Sequence, residues 1–216
     1  IEQCELGNCE KGRSGSLNIP NLDSLGIREA IRLANGLMIS KNANKATGLF
    51  GAATEMSKGK DTPSGHWELA GVPVPWDWHF FKNKTESFSD SIIKYVCDVA
   101  NVPRILGNCH ASGTEIIDRL GEEHMLNGQP ICYTSSDSVF QIAAHESTYG
   151  LDRLYKLCEN LAPFFHNMKV GRVIARPFVG TNRDNFTRTE NRKDFAIDPP
   201  SLTLCDYFKN DNRTLH

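Results

Sequence analysis

The sequence lacks any long apolar run. No stretch approaches the ~20 consecutive apolar residues that a transmembrane helix needs, and no signal-peptide pattern occurs at the start. These absences exclude the common ways of crossing or entering a membrane. We therefore expect a cytoplasmic protein that has no membrane partner.

The chain also lacks a strong excess of either charge. Its 24 Lys and Arg residues nearly balance its 26 Asp and Glu residues, and the net charge is −2. Without a basic field, neither a nucleic acid nor an anionic lipid surface is an expected partner. The 39% hydrophobic and 23% charged content is typical of a globular protein, and 216 residues suffice for one large or two small domains.

Paired cysteine motifs are absent as well. The seven cysteines are scattered, none forms a Cys-x-x-Cys pair, and Cys4 and Cys9 have no nearby histidine. This pattern argues against a zinc site and against a disulfide framework. We expect reduced thiols, in agreement with a cytoplasmic protein.

One stretch concentrates reactive side chains. Residues 57–68 read SKGKDTPSGHWE, with two lysines, carboxylates, a histidine and the candidate nucleophiles Thr62 and Ser64. A hydroxyl nucleophile needs a metal, a base or a helix N-terminus to activate it, and the lysines would neutralise an incoming anion. The residue types indicate phosphate chemistry, and they leave the choice between Thr62 and Ser64 open.

Several long blocks resemble the bacterial phosphopentomutases, metal-dependent members of the alkaline phosphatase superfamily. The stretch at 58–68 resembles their nucleophile loop. Further blocks match in order at 107–117 (GNCHASGTEII), 133–146 (YTSSDSVFQIAAHE), 171–178 (GRVIARPF) and 191–192 (NR). The resemblance covers roughly residues 17–200, which is most of the chain.

The resemblance implies a mechanism and a set of residues. It implies that Thr62 is the nucleophile, is phosphorylated and contacts two divalent metal ions, typically Mn²⁺. Ser138, Arg176 and Arg192 resemble family residues that bind the sugar phosphate. His110 and His145 lie in matching blocks and are expected to be structural histidines. The expected reaction interconverts (deoxy)ribose 1-phosphate and (deoxy)ribose 5-phosphate through a bisphosphate, with glucose 1,6-bisphosphate or a pentose bisphosphate as activator, in a monomer.

The resemblance also implies something that the chain does not contain. The family's other metal ligands are aspartates and histidines in segments that flank the matched blocks, and neither segment is found here. We therefore expect this chain alone to be inactive, because Thr62 is one ligand of a larger set. The alternative function is a non-catalytic fragment or cap module that only binds sugar phosphates.

The predicted fold class is α/β, with part of an alkaline-phosphatase-like core and an inserted α/β cap domain. The predicted core segment, which carries the nucleophile loop, is 1–86; the cap is 87–200, and 201–216 returns towards the core. Short runs, β-branched at 170–175, predict strands at 104–109, 130–134 and 170–175, and the alternation of these strands with helices indicates an α/β domain. Helical spacing predicts a helix that ends near Asn35-Gly36, a helix after Ser89, and helices at 113–126, 137–146 and 151–165.

Overall fold

The computed structural model describes residues 17–36, 46–58 and 61–214. By its internal contacts the chain divides into two compact units, 1–55 and 56–216. The predicted domain boundaries at residues 86 and 200 stay predictions. Among the described residues, no helix combines the length and the apolar character needed to cross a membrane.

The described residues of the first unit form two short helices, α1 (Pro20–Leu25) and α2 (Ile27–Asn35). Gly26 separates them with φ of 96°, and Gly36 ends α2 with φ of 76°. Such left-handed conformations carry little cost for glycine, which explains why both helices end there. The predicted helix end near Asn35-Gly36 is confirmed. The polar, Gly- and Ser-rich composition of residues 1–16 predicts a flexible entry loop, and these residues lie outside the described part of the chain. The composition of residues 36–56 predicts a loop with one possible strand, and the described residues 46–55 contain no strand.

The second unit is built on a six-stranded mixed sheet in the order β1-β2-β3-β4-β5, with β6 also paired to β4. The pairs β1–β2 and β3–β4 are parallel, whereas β2–β3, β4–β5 and β4–β6 are antiparallel. The α/β class is therefore confirmed, with a mixed sheet. The strand bounds are β1 (Leu106–His110), β2 (Ile131–Thr134), β3 (Val139–His145), β4 (Arg172–Val179), β5 (Thr187–Arg188) and β6 (Lys193–Ala196).

Six helical segments accompany this sheet: α3 (Thr62–Leu69), α4 (Asp90–Ala100), α5 (Gly113–Asn127), the π-helix π1 (Glu146–Gly150), α6 (Leu151–Asn167) and α7 (Leu204–Asn210). The hydroxyl of Ser112 caps α5 by accepting from the backbone N–H of Glu115, and Gly128 ends it in a left-handed conformation. The predicted helices at 113–126 and 151–165 are confirmed, as is the helix that follows Ser89.

Successive side chains of β3 and β4 point alternately to the two faces of the sheet, and each face packs into its own hydrophobic core. Phe140, Ile142 and Ala144 of β3 join Val173 and Ala175 of β4 in the core that α4 and α6 cover. The core on the other face contains Ala143 and Phe178 together with residues of α5, β1 and β2. Successive strand residues point to opposite faces, so one run of apolar residues serves both cores.

The prediction of a helix at 137–146 is wrong. Residues Val139–His145 form β3, and every one of them is buried. In a strand that is buried on both faces, nearly every residue is apolar. Such a short apolar run shows neither the two-residue period of a half-buried strand nor the helical period, so its pattern does not distinguish a strand from a buried helix. Ile142, in the middle of this run, is fully buried in the core with α4 and α6.

Candidate active site

Two arginines on β4 face the same side of the sheet. Arg172, Ile174 and Arg176 alternate with Val173 and Ala175, which are buried in the core on the α4 and α6 side. Because side chains repeat every two residues along a strand, the first three share the opposite face. There they meet Val139 and Gln141 of β3, and Arg176 Nε donates to Gln141 Oε1 at 3.0 Å.

This face forms the floor of a cavity of about 360 Å³ that contains most of the candidate residues. Thr62 contributes to its lining from the first residue of α3, and Gly113 from the start of α5. Asp137 and Ser135 come from the turn between β2 and β3. The other lining residues are Ala111, Ser112, Val139, Gln141, Arg172, Ile174, Arg176 and Arg192.

Thr62 and Ser64 differ sharply in their surroundings. Thr62 is exposed, and among the described residues its hydroxyl has no hydrogen-bond partner. Ser64 is fully buried, and its Oγ accepts from Trp78 Nε1 at 2.6 Å. A hydroxyl open to the cavity can meet a substrate, whereas the Ser64 hydroxyl is committed to the packing behind α3.

The backbone at Met56 and Ser57, a few residues before Thr62, is held by α3. The carboxylate of Glu68 accepts from the backbone N–H groups of Met56 and Ser57, at 2.6 and 2.7 Å. Hydrogen bonds from Ser57 and Met56 lower the pKa of Glu68. Helix α3 begins at Thr62 itself, so its free N–H groups and positive dipole end lie beside this hydroxyl.

Asp61 is the buried residue that precedes Thr62. Its Oδ2 accepts from the backbone N–H of Ser138 at 2.9 Å, and its Oδ1 lies 3.5 Å from Arg172 Nε without a hydrogen bond. Burial raises the pKa of Asp61, and the charge of Arg172 together with the Ser138 bond opposes that rise. Asp61 therefore anchors the start of α3 to the turn before β3.

The side chain of Ser138 is turned away from the cavity. It is fully buried, its Oγ donates to the carbonyl oxygen of His79 at 2.6 Å, and it accepts from the N–H of Gly171 at 3.0 Å. Ser138 is not among the cavity-lining residues. Ser138 contacts the candidate site through its backbone N–H, which donates a hydrogen bond to Asp61 Oδ2.

Arg176 and Arg192 belong to a cluster of positive charge that also includes Arg188. Burial lowers the pKa of Arg176, and the charges of Arg192 and Arg188 add to this effect. Arg192 donates twice to the carboxylate of Asp194, with both distances at 2.7 Å. Among the described residues, the guanidinium of Arg188 has no acceptor, so it is available to an external anion.

The N-terminus of α5 points towards this cluster. A methyl group on Gly113 would lie 2.9 Å from the hydroxyl of Tyr133 and 3.6 Å from Arg188 Nη1. The Tyr133 hydroxyl is buried without a partner in the described chain. Burial raises the pKa of Tyr133, and the charges of the three arginines oppose that rise. Unpaired donors, a helix N-terminus and guanidinium groups together suit a phosphate.

A second cavity, of about 440 Å³, lies beside the first and shares Arg176 and Arg192 with it. Its remaining lining consists of Thr114, Ile117, Asp118, Pro177, Phe186, Thr187, Arg188 and Thr189. The two arginines therefore lie at the junction of two spaces, one that Thr62 lines and one that Arg188 lines.

The described residues do not fit a metal pair. They contain no group of three or more His, Cys, Asp or Glu side chains that could hold an ion. His110 Nε2 lies 2.6 Å from the carbonyl oxygen of Phe81, and His145 Nε2 lies 2.9 Å from that of Gly180. Both histidines are thus structural, as predicted. Asp61, the carboxylate nearest to Thr62 in sequence, is oriented towards Ser138 and Arg172.

Sequence reasoning missed Arg172 and Arg188. The signal for Arg172 was present, because the segment Arg172-Val-Ile-Ala-Arg176 alternates and places both arginines on one strand face. No comparable signal existed for Arg188, which lies on a strand of two residues and reaches the cluster through the tertiary fold.

Comparison with known proteins places these residues in a family context. No protein-family model matches the sequence. The phosphopentomutase of Sinorhizobium medicae (strain WSM419) is 52% identical over 219 aligned residues, which cover the whole chain and 54% of that protein. That of Rhizobium meliloti (strain 1021) is 51% identical over the same lengths.

The phosphopentomutase of Chelativorans sp. (strain BNC1) is 52% identical over 205 aligned residues, which cover 94% of the chain and 50% of that protein. The similarity therefore runs through the segments that line both cavities. By sequence the chain is similar to phosphopentomutases along its length at about 50% identity, and it spans about half the length of these curated relatives.

Proposed function

We propose that the chain carries the nucleophile and the phosphate-binding arginines of a phosphopentomutase. The reaction interconverts (deoxy)ribose 1-phosphate and (deoxy)ribose 5-phosphate through a phosphorylated Thr62 and a sugar bisphosphate. One observation carries the proposal: a single cavity is lined by the exposed Thr62 and by Arg172, Arg176 and Arg192. The finer fold, a partial alkaline-phosphatase-like core with an inserted cap, is part of the same proposal.

Thr62, rather than Ser64, is the nucleophile in this proposal. Two observations support this choice. The Thr62 hydroxyl is exposed and has no hydrogen-bond partner among the described residues, whereas the Ser64 hydroxyl is buried and accepts a hydrogen bond from Trp78 Nε1. The position of Thr62 as the first residue of α3 adds N–H groups and a helix dipole that favour a negatively charged phosphoryl group.

The arginines hold the phosphate that is not being transferred. A planar guanidinium can bind phosphate through two parallel hydrogen bonds, which fixes orientation as well as charge. Arg176 and Arg192 are the predicted residues, and Arg188 adds a guanidinium without an acceptor in the described chain. Arg172 lies among Asp61, Asp137 and Asp194 and lines the floor near Thr62. For Ser138, positioning of Asp61 through its N–H is the contribution that the contacts support.

Two half-reactions follow from these roles. In the first, a sugar hydroxyl attacks the phosphorus of phospho-Thr62, the P–Oγ bond breaks, and the hydroxyl proton ends on Thr62 Oγ. The product is a pentose bisphosphate. In the second, Thr62 Oγ attacks the opposite phosphate, the bond from phosphorus to the sugar oxygen breaks, and the proton returns to that oxygen. Such transfer depends mainly on positioning and charge neutralisation.

The predicted pair of Mn²⁺ ions and the predicted activator belong to the proposal. The metal pair needs ligands beyond Thr62, and the described residues supply no cluster for it. Glucose 1,6-bisphosphate or a pentose bisphosphate would act by donating the first phosphoryl group to Thr62. Small sugar phosphates are the proposed partners of a monomer.

An intact-mass experiment tests the proposal. The chain, joined to the metal-ligand segments that flank it in the family, is incubated with Mn²⁺ and glucose 1,6-bisphosphate, beside the variants Thr62→Ala and Ser64→Ala. We expect one added phosphoryl group that maps to Thr62, persists in Ser64→Ala and disappears in Thr62→Ala. A gain that maps to Ser64 would overturn the assignment of the nucleophile. No gain, with ribose 5-phosphate still bound, would assign this chain the alternative, binding function.

A further inference from the structure

The segment that carries Arg188 and Arg192 needs an anchor outside itself. Strand β5 comprises two residues, and most of residues 181–194 are exposed. Short exposed segments make few buried contacts and open easily. A guanidinium contributes to a phosphate site only where the backbone that carries it is held in place.

The contacts of Glu146 provide such an anchor. Its Oε1 accepts from the hydroxyl of Thr189 and, at 3.0 Å, from Nδ2 of Asn191. The N–H of Asn191 also donates to the hydroxyl of Thr189, at 3.3 Å. One carboxylate oxygen therefore binds residues on both sides of Glu190, inside the segment bounded by Arg188 and Arg192.

We propose that Glu146 is a positioning residue for the phosphate site. It holds Thr189 and Asn191, and through them it fixes the backbone from which Arg188 and Arg192 extend. This inference rests on the proposed function, because it assigns Glu146 a role at the same arginine cluster.

Glu146 is itself well fixed. It is the first residue of π1, directly after β3, and the preceding His145 caps this turn by accepting from the N–H of Thr148 at 3.3 Å. His145 Nε2 also lies 2.9 Å from the carbonyl oxygen of Gly180, beyond the end of β4. π-Helical turns are rare and occur often at functional sites. The anchor thus extends from the central sheet.

The pairing of β5 and β6 with β4 also holds the ends of the segment, and two further contacts hold its middle. The hydroxyl of Tyr155 on α6 donates to the carbonyl oxygen of Asn191 at 2.6 Å, and the N–H of Thr189 donates to that of Pro177 at 3.2 Å. Glu146 contributes two side-chain contacts to this attachment, and Tyr155 contributes another. Its removal should loosen the segment without unfolding it.

The geometry selects the test variants. Both donors use the same oxygen, so Glu146→Gln keeps an Oε1 that can accept both bonds, whereas Glu146→Ala removes the acceptor. A purely electrostatic role would behave differently, because loss of a negative charge near the arginines would strengthen anion binding in both variants. Glu159→Ala is the matched control, since Glu159 is an exposed carboxylate on α6 that pairs with Lys156.

Two measurements test the proposal on the full chain. The first is amide hydrogen exchange of the peptide covering 187–193. We expect it to be about tenfold faster in Glu146→Ala and within about threefold of wild type in Glu146→Gln and Glu159→Ala. The second is calorimetric titration with ribose 5-phosphate, where we expect about tenfold weaker binding in Glu146→Ala and near-wild-type binding in Glu146→Gln.

The outcomes separate this proposal from the proposed function. Unchanged amide exchange in Glu146→Ala would contradict the claim that Glu146 anchors the segment. Faster exchange with unchanged affinity for ribose 5-phosphate would contradict the role of Glu146 at the phosphate site. Stronger binding of ribose 5-phosphate by both Glu146→Ala and Glu146→Gln would show that Glu146 acts through its charge, and this result would also overturn the positioning role. If wild type does not bind ribose 5-phosphate, the proposed binding site and the positioning role both fail. The hydrogen-exchange measurement would still show whether Glu146 anchors residues 187–193.

Discussion

Asp61 accepts a hydrogen bond from the backbone N–H of Ser138 at 2.9 Å, and this contact joins the start of α3 to the turn before β3. The carboxylate is buried, and Arg172 lies 3.5 Å from its other oxygen. The residue that directly precedes Thr62 is therefore fixed against the edge of the cavity. The position of the candidate nucleophile depends on a contact between residues that are far apart in sequence.

Removal of the Asp61 carboxylate should destabilise the fold. Asp61→Ala leaves the N–H of Ser138 without its acceptor and deprives the buried Arg172 of one counter-charge. We expect a loss of about 3 kcal/mol in the free energy of unfolding, measured by urea denaturation. The control is Asp211→Ala, because the pair of Asp211 with Arg213 is exposed and its loss should change little. Equal effects of the two variants would contradict the anchoring role.

Thr62 and Ser64 should respond in opposite ways to substitution. Ser64→Ala leaves Trp78 Nε1 buried without its acceptor, so we expect a loss of about 1–2 kcal/mol in unfolding free energy. Thr62→Ala should change stability by no more than about 0.5 kcal/mol, because Thr62 is exposed. Both values come from denaturant melts. A destabilised Thr62→Ala beside an unaffected Ser64→Ala would reverse the assignment of structural and reactive hydroxyls.

Two helical glycines offer a test of the packing behind the arginine segment. A methyl group on Gly121 of α5 would lie 2.5 Å from Cε2 of Phe186, two residues before Arg188, whereas one on Gly65 of α3 would meet nothing within 4 Å. We expect Gly121→Ala to cost about 1–2 kcal/mol through overpacking. Gly65→Ala should stabilise by about 0.5–1 kcal/mol, because alanine favours helix. Thermal unfolding of both variants measures the difference, and a stabilised Gly121→Ala would contradict the close packing.

Stability should rise with pH across the histidine range. Burial lowers the pKa of His124, whose Nδ1 donates to the carbonyl oxygen of Gln129 while Nε2 accepts from the N–H of His145. Below the ordinary histidine pKa near 6.5, the unfolded chain therefore takes up a proton that the folded chain resists. We expect the free energy of unfolding to fall as pH decreases from about 7 to 5.

The variant His124→Gln should flatten this pH dependence while it lowers stability at pH 7. His79 and His166 also have pKa values lowered by burial, so part of the slope should remain. Unfolding free energies at several pH values give both slopes. Identical slopes in wild type and His124→Gln would show that the lowered pKa of His124 does not contribute to the pH dependence of stability.

Local patterns predicted much of the fold. Gly128 after Asn127 predicted the end of α5, and the spacing of Leu154, Leu157 and Leu161 predicted α6 correctly. The helix predicted over β3 was wrong because that strand is buried on both faces. Its burial results from partners on β2 and β4, which a local pattern does not contain.

The candidate site was less accessible to sequence reasoning. Thr62, Arg176 and Arg192, which the family resemblance predicts as site residues, line one cavity. The burial of the Ser138 hydroxyl and the proximity of Arg188 to Tyr133 arise from contacts across the fold. Spacing along the chain carries no information on such contacts, so the orientation of Ser138 and the third arginine emerged only from the three-dimensional arrangement.

Calorimetric titration with ribose 5-phosphate tests most directly the claim that these arginines form a sugar-phosphate site. Wild type is compared with Arg176→Gln, Arg192→Gln and the control Arg104→Gln, an exposed arginine that pairs with Glu123. We predict saturable binding that weakens by about tenfold or more in each of the first two variants and persists in the control. Absence of binding by wild type, or equal binding by all four proteins, would contradict the account.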